Sequence, residues 1–391
     1  MDYRKESLKK HYEWKGKIEI APRVSVSTRE ELSLAYTPGV AEPCMAIHED
    51  VNKSFELTRR WNTVAVITDG TAILGLGDIG PEAGMPVMEG KCALFKAFAG
   101  VDAVPLCLRT KDTEEIIRTV SLLAGSFGGI NLEDISAPRC FEVERRLKEI
   151  CDVPVFHDDQ HGTAIVVGAG LLNALRLVHK QMENLKVVVN GPGAAGISIA
   201  KFLMAMGVRD VILCGKQGIL NAADKEINEA QRAIAKITNP RGVTGKLQDA
   251  MNGADVFIGV SAANCVSKEM VASMAKDAIV FPLANPVPEI SYEDALAAGA
   301  RIVGTGSSEH PNQINNALVF PGVFRGALDA RAGDVNLQMM IAASHGIASL
   351  VGDRLSETYI IPDPYDPKVH EAVAKSVERA AYESGVARKV K

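Results

Sequence analysis

Leu185–Met206 reads LKVVVNGPGAAGISIAKFLMAM, an apolar run, a glycine-rich turn and a second apolar run. The first six residues have the near-continuous hydrophobicity of a strand covered on both faces of a parallel sheet. Ala194–Met206 is rich in Ala, Ile and Leu and reads as a helix. Between them Gly191, Gly193 and Gly196 stand in the spacing G-x-G-x-x-G. Glycine suits such a turn because the backbone bends sharply and has to approach a pyrophosphate with no Cβ in the way. The helix N-terminus then presents free N–H groups and the positive end of its dipole. Gly191, Gly193, Ala194, Ala195, Gly196 and Ile197 are therefore the expected cofactor-binding residues. A purely structural tight turn would use the same glycines; the setting after a strand and before a helix favours the dinucleotide.

Downstream, VRDVILC (Val208–Cys214), ADVFIGV (Ala254–Val260), AIVFPLA (Ala278–Ala284) and ARIVGTG (Ala300–Gly306) are short apolar runs separated by helix-length segments. That alternation predicts a doubly wound parallel sheet. Gly333–Val351 and Lys368–Ala387 read as closing helices, the latter with Val369, Val373 and Val377 on one stripe. Upstream, strands are expected at Thr63–Thr68, Ala103–Leu108, Ile130–Ile135 and Val153–Phe156. Helices are expected at Gly90–Ala99 and, capped by Asp112, at Thr113–Ala124. The chain of 391 residues exceeds what one core usually organises. The fold class is thus α/β with two domains: an N-terminal α/β substrate domain over residues 1–160 and a C-terminal dinucleotide domain over residues 161–391.

Net charge is −5 and aromatics make up 5%, so neither nucleic acid nor an anionic membrane is an expected partner. Seven cysteines lie scattered without paired spacing, which predicts reduced thiols and no cysteine zinc site. The charged N-terminus has no apolar signal core. Thr163–Val178 is interrupted by Asn173 and Arg176 and reads as a buried helix, not a membrane span. A cytoplasmic protein is expected.

NLED (Asn131–Asp134) and HDDQH (His157–His161) place Glu133, Asp134, Asp158 and Asp159 at the ends of two strand-like runs. Clustered carboxylates repel unless a proton or cation sits among them, and oxygen ligands suit Mg²⁺ or Mn²⁺. Helix caps and surface charges would give the same composition. His157 and His161 read as hydrogen-bonded supports of such a cluster. Lys91 and Lys96 lie amid small and apolar residues; a lysine drawn into a pocket can serve as a base, one snorkelling to solvent cannot. GLGDIG (Gly75–Gly80) repeats the glycine spacing, but Pro81 and the AGMP after it are expected to prevent a regular helix, which makes it a pocket loop.

Taken together, LSLAYTPGVAEPC (Leu32–Cys44), TDGTAILGLGDIGPEAGMPVMEGK (Thr68–Lys91), GGINLEDI (Gly128–Ile135), PVFHDDQHGTAIV (Pro154–Val166), VVVNGPGAAG (Val187–Gly196), LANPVPEI (Leu283–Ile290) and NQINNALVFPG (Asn312–Gly322) resemble the malic enzyme family, in particular its shorter prokaryotic members. The resemblance implies a substrate and dimerisation region followed by a Rossmann-type domain. It implies oxidative decarboxylation of malate to pyruvate and CO₂ with reduction of NAD or NADP. In that likeness Tyr36 is the general acid, Lys91 the general base, and Glu133, Asp134 and Asp159 are metal ligands with Asp158 and His157 behind them. Asn285 and Asn315 or Asn316 donate amides to substrate carboxylates. Larger members carry an arginine where this chain has Ala72, so Lys91, the asparagines and loop amides are all candidates for the malate carboxylate. A homodimer or higher homo-oligomer is implied. The rival on the same scaffold is an oxaloacetate decarboxylase with little hydride transfer.

NAD-selective sites place an acid at the end of the second strand. Here that strand ends Cys214-Gly215-Lys216, with no acid and with Lys216 available to a 2′-phosphate. NADP is therefore expected to be accepted, with NAD also bound.

Overall fold

The computed structural model describes residues 3–388. Its first sheet holds β1 (Thr63–Thr68), β2 (Asp102–Cys107), β3 (Gly129–Leu132) and β4 (Val155–His157) in the order β2-β1-β3-β4. All pairings are parallel. The second holds β5 (Lys186–Asn190), β6 (Asp210–Gly215), β7 (Gly218–Ile219), β8 (Val256–Gly259), β9 (Ile279–Pro282) and β10 (Ile302–Val303), in the order β10-β9-β8-β5-β6-β7. Chain order reverses at β5, and in such sheets ligands bind in the crevice beyond the strands' carboxyl ends at that reversal. The doubly wound sheet expected from the sequence is present, with one addition. β7 turns back antiparallel on β6, pairing Gly215 with Gly218 and leaving Lys216 and Gln217 at the tip.

Several helices differ from expectation. Residues 81–99 form one helix, not a loop followed by a helix from Gly90. Pro81 occupies its first turn, where a missing N–H costs nothing and the fixed φ favours the helix. Pro81 therefore starts the helix and does not break it. Pro86 lies inside the same helix, and the helix still runs through to the left-handed Gly100. The predicted helix from Thr163 starts earlier, at Asp158, so HDDQH is the joint between β4 and the first turn of Asp158–Val178. That helix is long and apolar enough to span a membrane by composition, yet most of it is buried inside the protein. The closing helices are Leu337–Ser349 and Pro367–Glu383, with Val369, Val373 and Val377 all buried as the stripe required.

One feature of the packing was not legible. The helix Phe320–Asp329 leaves the second sheet and returns to the first. Phe95 meets Phe320 and Phe324 edge-on at centroid distances of 4.8 and 5.3 Å, and Phe156 meets Phe324 at 5.9 Å. Arg325 donates to Asn62 Oδ1 at 2.5 Å, and Arg388 to the Asp152 carbonyl at 2.6 Å. The main apolar core is accordingly continuous from Val64 in β1 to Ala381 near the C-terminus.

The N-terminal segment is the opposite. Its helices Arg29–Ala35 and Ala41–Glu49 bury no residue. It is tied down where Lys17 donates its backbone N–H to Glu89 Oε2 (3.1 Å) and its ammonium to the Pro86 carbonyl (2.6 Å). The cysteines are all free thiols.

Candidate active site

The ends of β3 and β4 and the helix Pro81–Ala99 converge on one buried cluster. Lys91 Nζ lies 2.7 Å from Glu133 Oε1 and 2.7 Å from Asp158 Oδ2. Its ammonium also sits 4.2 Å from the centroid of the Phe320 ring, part of the segment that returns from the far end of the chain. Burial alone would lower its proton affinity; the Asp158 and Glu133 carboxylates outweigh that and hold Lys91 protonated above the usual lysine range. Asn316 donates its amide to Asp158 Oδ2 at 2.5 Å. Gly162, one turn into the helix, leaves space for Asp158: a Cβ there would stand 1.9 Å from Asp158 Oδ1.

Beside this pair, Glu133, Asp134 and Asp159 each offer an oxygen, all within 4.8 Å of one another. Asp134 is held at φ +53°, an uncommon backbone for a non-glycine residue. Its carbonyl accepts from Ala72 N–H (3.0 Å) and its N–H donates to Asp159 Oδ2 (2.7 Å). Asp134 Oδ2 is buried with no hydrogen-bond partner among the described residues. Burial, then repulsion from Asp159 and Glu133, pushes the Asp134 carboxyl up to about 9. Burial also raises Glu133 to about 7, against the pull of Lys91, and raises Asp159. An oxygen triad with an orphaned lone pair and an excess of negative charge fits a hard divalent cation.

The supports of the cluster are buried too. His157 is fully buried, and desolvation brings its imidazole down to about 4; its 3.7 Å approach to Asp159 is thus a neutral contact and not an ion pair. Glu144 accepts from the His157 backbone N–H (3.0 Å) and bonds the His161 ring (2.8 Å). Arg139 donates to Asp69 Oδ2 (2.7 Å) and Thr71 (3.1 Å), fixing the loop that ends at Ala72. Neither Glu144 nor Arg139 was singled out from the sequence, because an acid and a base on an amphipathic helix look like surface charges. Lys96 is such a surface residue, paired with Asp102 at 2.6 Å.

The glycine loop has the expected shape. Gly191 lies at φ +112°, and a Cβ there would strike the Val260 carbonyl at 2.4 Å. A Cβ at Gly196 would lie 1.9 Å from the Gly191 carbonyl, while one at Gly193 would meet nothing within 4 Å. The loop is tight where it packs and open where a pyrophosphate would approach, so it fits the group. Ala194 and Ala195 begin the helix Ala194–Ala205 with their N–H groups free for phosphate oxygens. Ile197 does not belong with them: its side chain is core and its N–H already bonds the Gly193 carbonyl at 3.1 Å. Lys216 stands exposed at the hairpin tip.

Three other expected residues are placed as follows. Asn285 is exposed on the loop after β9. Asn315 turns its Oδ1 to the Ala317 N–H (2.8 Å), so of the NN pair it is Asn316 that touches the cluster. Tyr36 is not brought to the cluster within the chain: the residue is 64% exposed and its phenol makes no hydrogen bond among the described residues. GLGDIG is a loop, as expected, with Asp78 paired to Lys111 at its surface.

The family model described as the malic enzyme N-terminal domain matches residues 15–148, and the one described as the malic enzyme NAD binding domain matches residues 160–382. A bifunctional malic/malolactic enzyme of Bacillus subtilis is 57% identical over 390 residues, covering 99% of this chain and 95% of that one. An NADP-dependent malic enzyme of Rhizobium meliloti is 47% identical across 96% of this chain, which spans 51% of that relative's length. The crystal structure of an NAD-dependent malic enzyme from Thermotoga maritima is 51% identical and superposes with a TM-score of 0.92, covering 95% of this chain and 98% of that one.

Proposed function

The chain belongs to the malic enzyme family, and on that premise we propose that the cluster at Lys91 and the crevice at Gly191 act together in the oxidative decarboxylation of malate to pyruvate and CO₂ with reduction of NAD(P). The observation that carries the reading is the joint one: a lysine fixed at 2.7 Å between two carboxylates, beside an oxygen triad within 4.8 Å. A simple hydroxyacid dehydrogenase needs no such triad, and a simple decarboxylase needs no glycine loop.

Glu133, Asp134 and Asp159 would hold a magnesium or manganese ion, which when bound supplies Lewis-acid polarisation of the 2-oxygen and its neighbouring carboxylate. The glycine loop would hold the pyrophosphate of the dinucleotide, whose nicotinamide accepts the hydride. Lys91 takes the 2-hydroxyl proton, and Asp158 and Asn316 keep its ammonium in place. Because Lys91 starts protonated, it first has to release that proton to solvent; a cation held at Glu133 would neutralise one of the two charges that keep it. Loss of CO₂ leaves the enolate of pyruvate, and Tyr36 protonates it at C3. Asn285 and Asn316 donate amides to substrate carboxylates in the position left without an arginine at Ala72.

Tyr36 rides on a segment whose helices Arg29–Ala35 and Ala41–Glu49 bury no residue and which exposes Ile20, Leu34 and Met45. Such a surface is typical of an interface. We read it as the contact between two copies of the chain, with Tyr36 of each serving the Lys91 of the other. The protein acts in the cytoplasm in this reading.

Cofactor preference rests on the hairpin tip. Lys216 favours acceptance of a 2′-phosphate, and the relatives carry names of both dependences. A Cβ at Gly215 would come 3.1 Å from Pro192 Cγ, so an NAD-type acid at 215 would crowd the glycine loop; the informative substitution is at Lys216.

The test is malate-dependent reduction of NAD and of NADP with Mn²⁺ or Mg²⁺, with and without a chelator. Activity lost to the chelator and restored by either ion is expected. Full activity in excess chelator would remove the metal assignment, and no reduction of either dinucleotide would remove the reading. Lactate among the products would extend to this chain the second activity named for the B. subtilis relative.

A further inference from the structure

Glu289 lies outside the cluster, in the turn beyond β9, and its side chain is completely buried. Among the described residues its carboxylate meets no cation. Oε1 accepts from the Ser261 backbone N–H at 2.7 Å and the Ser261 hydroxyl at 3.1 Å, and Oε2 accepts from the Ala284 N–H at 3.1 Å. Room for it comes from Gly259, where a Cβ would stand 2.3–2.7 Å from the carboxylate atoms. Asn190 in turn donates to the Ser261 hydroxyl (2.8 Å) and to Cys265 Sγ (3.3 Å). One carboxylate therefore ties together the carboxyl ends of β9 and β8 and, through Ser261, that of β5.

These strand ends form the floor of the crevice. Val260, next to Ser261, is the residue whose carbonyl lies against Gly191 of the glycine loop. Ala284 precedes Asn285, whose carbonyl lies 3.1 Å from where a Cβ on Gly75 would be, so this loop faces the first half of the molecule. A buried anion is costly unless donors satisfy its charged form. A side chain that merely filled this space would be apolar. Glutamine would present one acceptor and one NH₂, setting N–H against N–H at one of the two loops. A carboxylate alone accepts from both.

We propose that Glu289 is a positioning residue that fixes the separation of the cofactor-side loop 260–266 from the substrate-side loop 284–288. It does not touch the reacting atoms; it sets the distance between the groups that do. The assignment rests on the reading that a dinucleotide lies in this crevice and that Asn285 meets malate.

E289Q is the test, with NADH and NADPH affinity measured by fluorescence, independently of turnover, alongside KM for malate, kcat and Tm. Dinucleotide affinity about tenfold weaker and malate KM about tenfold higher are expected, the scale of one hydrogen bond to a charged group. A folded E289Q with wild-type affinity and KM would overturn the assignment. A loss confined to Tm and kcat would overturn it equally, since that is what a filler residue gives. Should E289Q fail to fold, S261A removes only the hydroxyl of the same network: a roughly threefold rise in both constants at unchanged Tm supports the assignment, and unchanged constants overturn it. A wild-type protein that binds neither dinucleotide would overturn the reading beneath it as well.

Discussion

The two residues expected to move protons, Lys91 and Tyr36, are steadied by stretches of the chain that could hardly be packed more differently. The helix Asp158–Val178 buries 14 of its 21 residues and fixes Asp158 against Lys91. The helix Arg29–Ala35, which ends at Tyr36, buries none. In the first stretch geometry is set by the chain's own core; in the second it has to be set by something outside that core. An acid and a base of one reaction can thus differ in what holds them, and different measurements should reveal it.

The largest expected effect breaks the chemistry on both sides. Lys91→Ala should lower kcat by about 10³-fold or more and Tyr36→Phe by about 10²-fold, within the usual range for acid–base groups, and only the former should alter Tm. The comparison sharpens when the two inactive variants are mixed and allowed to exchange subunits. If Tyr36 serves the other copy, one competent site forms in each mixed dimer and roughly a quarter of the wild-type activity returns at equal mixing. No recovery after proven exchange would place Tyr36 within its own subunit.

Stability should separate the stretches next. Gly162→Ala puts a methyl group where Asp158 Oδ1 stands, at 1.9 Å, and should cost about 1–3 kcal/mol in thermal unfolding with loss of activity. Leu34→Ala, at a residue 74% exposed, should leave unfolding of the subunit within about 0.5 kcal/mol while weakening its self-association in sedimentation. A large drop in subunit stability from Leu34→Ala would show the segment to be packed after all.

The acid triad gives a pH test confined to the buried region. Asp134 and Glu133 titrate near 9 and 7 when folded, above their ordinary values, so their protonated forms favour the metal-free fold. That contribution is present below the ordinary carboxyl range and is lost as pH rises through 7 to 9. A bound cation replaces those protons, so the rise in Tm on adding Mn²⁺ should be about 1–2 °C larger at pH 8.5 than at pH 6, a change of roughly 1–2 kcal/mol. An equal rise at both values would contradict the raised carboxyl groups. The smallest effect is expected at the hairpin: Lys216→Asp should shift preference toward NAD by about tenfold in kcat/KM, the worth of one charged hydrogen bond. A wild-type protein that rejects NADP outright would show that Lys216 points to solvent.

Much of this was legible because it is local. The run from Leu185 to Met206 carries strand, turn and helix in contiguous residues, and NLED and HDDQH carry the triad at two strand ends. The failures are where local rules compete or where the partner is distant. Pro81 satisfies both a breaker rule and a helix-start rule, and only the position relative to Gly80 decides. Ile197 fits the phosphate motif by sequence, but helical geometry turns it inward. Glu289 stood within the matched segment LANPVPEI without a role, because its donors at Ser261 and Ala284 come from loops that the sequence alone does not join. The exposure of Tyr36 is a statement about packing, which no motif contains.

The return of Phe320 and Phe324 to Phe95 and Phe156 also governs how the chain is made. The first sheet is synthesised early, but the rings that cover its apolar face leave the ribosome more than two hundred residues after Phe95 does. At ordinary translation speeds of about 5–20 residues per second the delay is on the order of ten seconds or longer. For that interval the N-terminal half presents a sticky surface that no local refolding can hide, so newborn chains should depend on chaperones more than finished ones do. Protease sensitivity of ribosome-bound chains stalled before Phe320, compared with chains stalled beyond the C-terminus, measures that dependence directly; equal resistance would mean that the early sheet is sealed by other means.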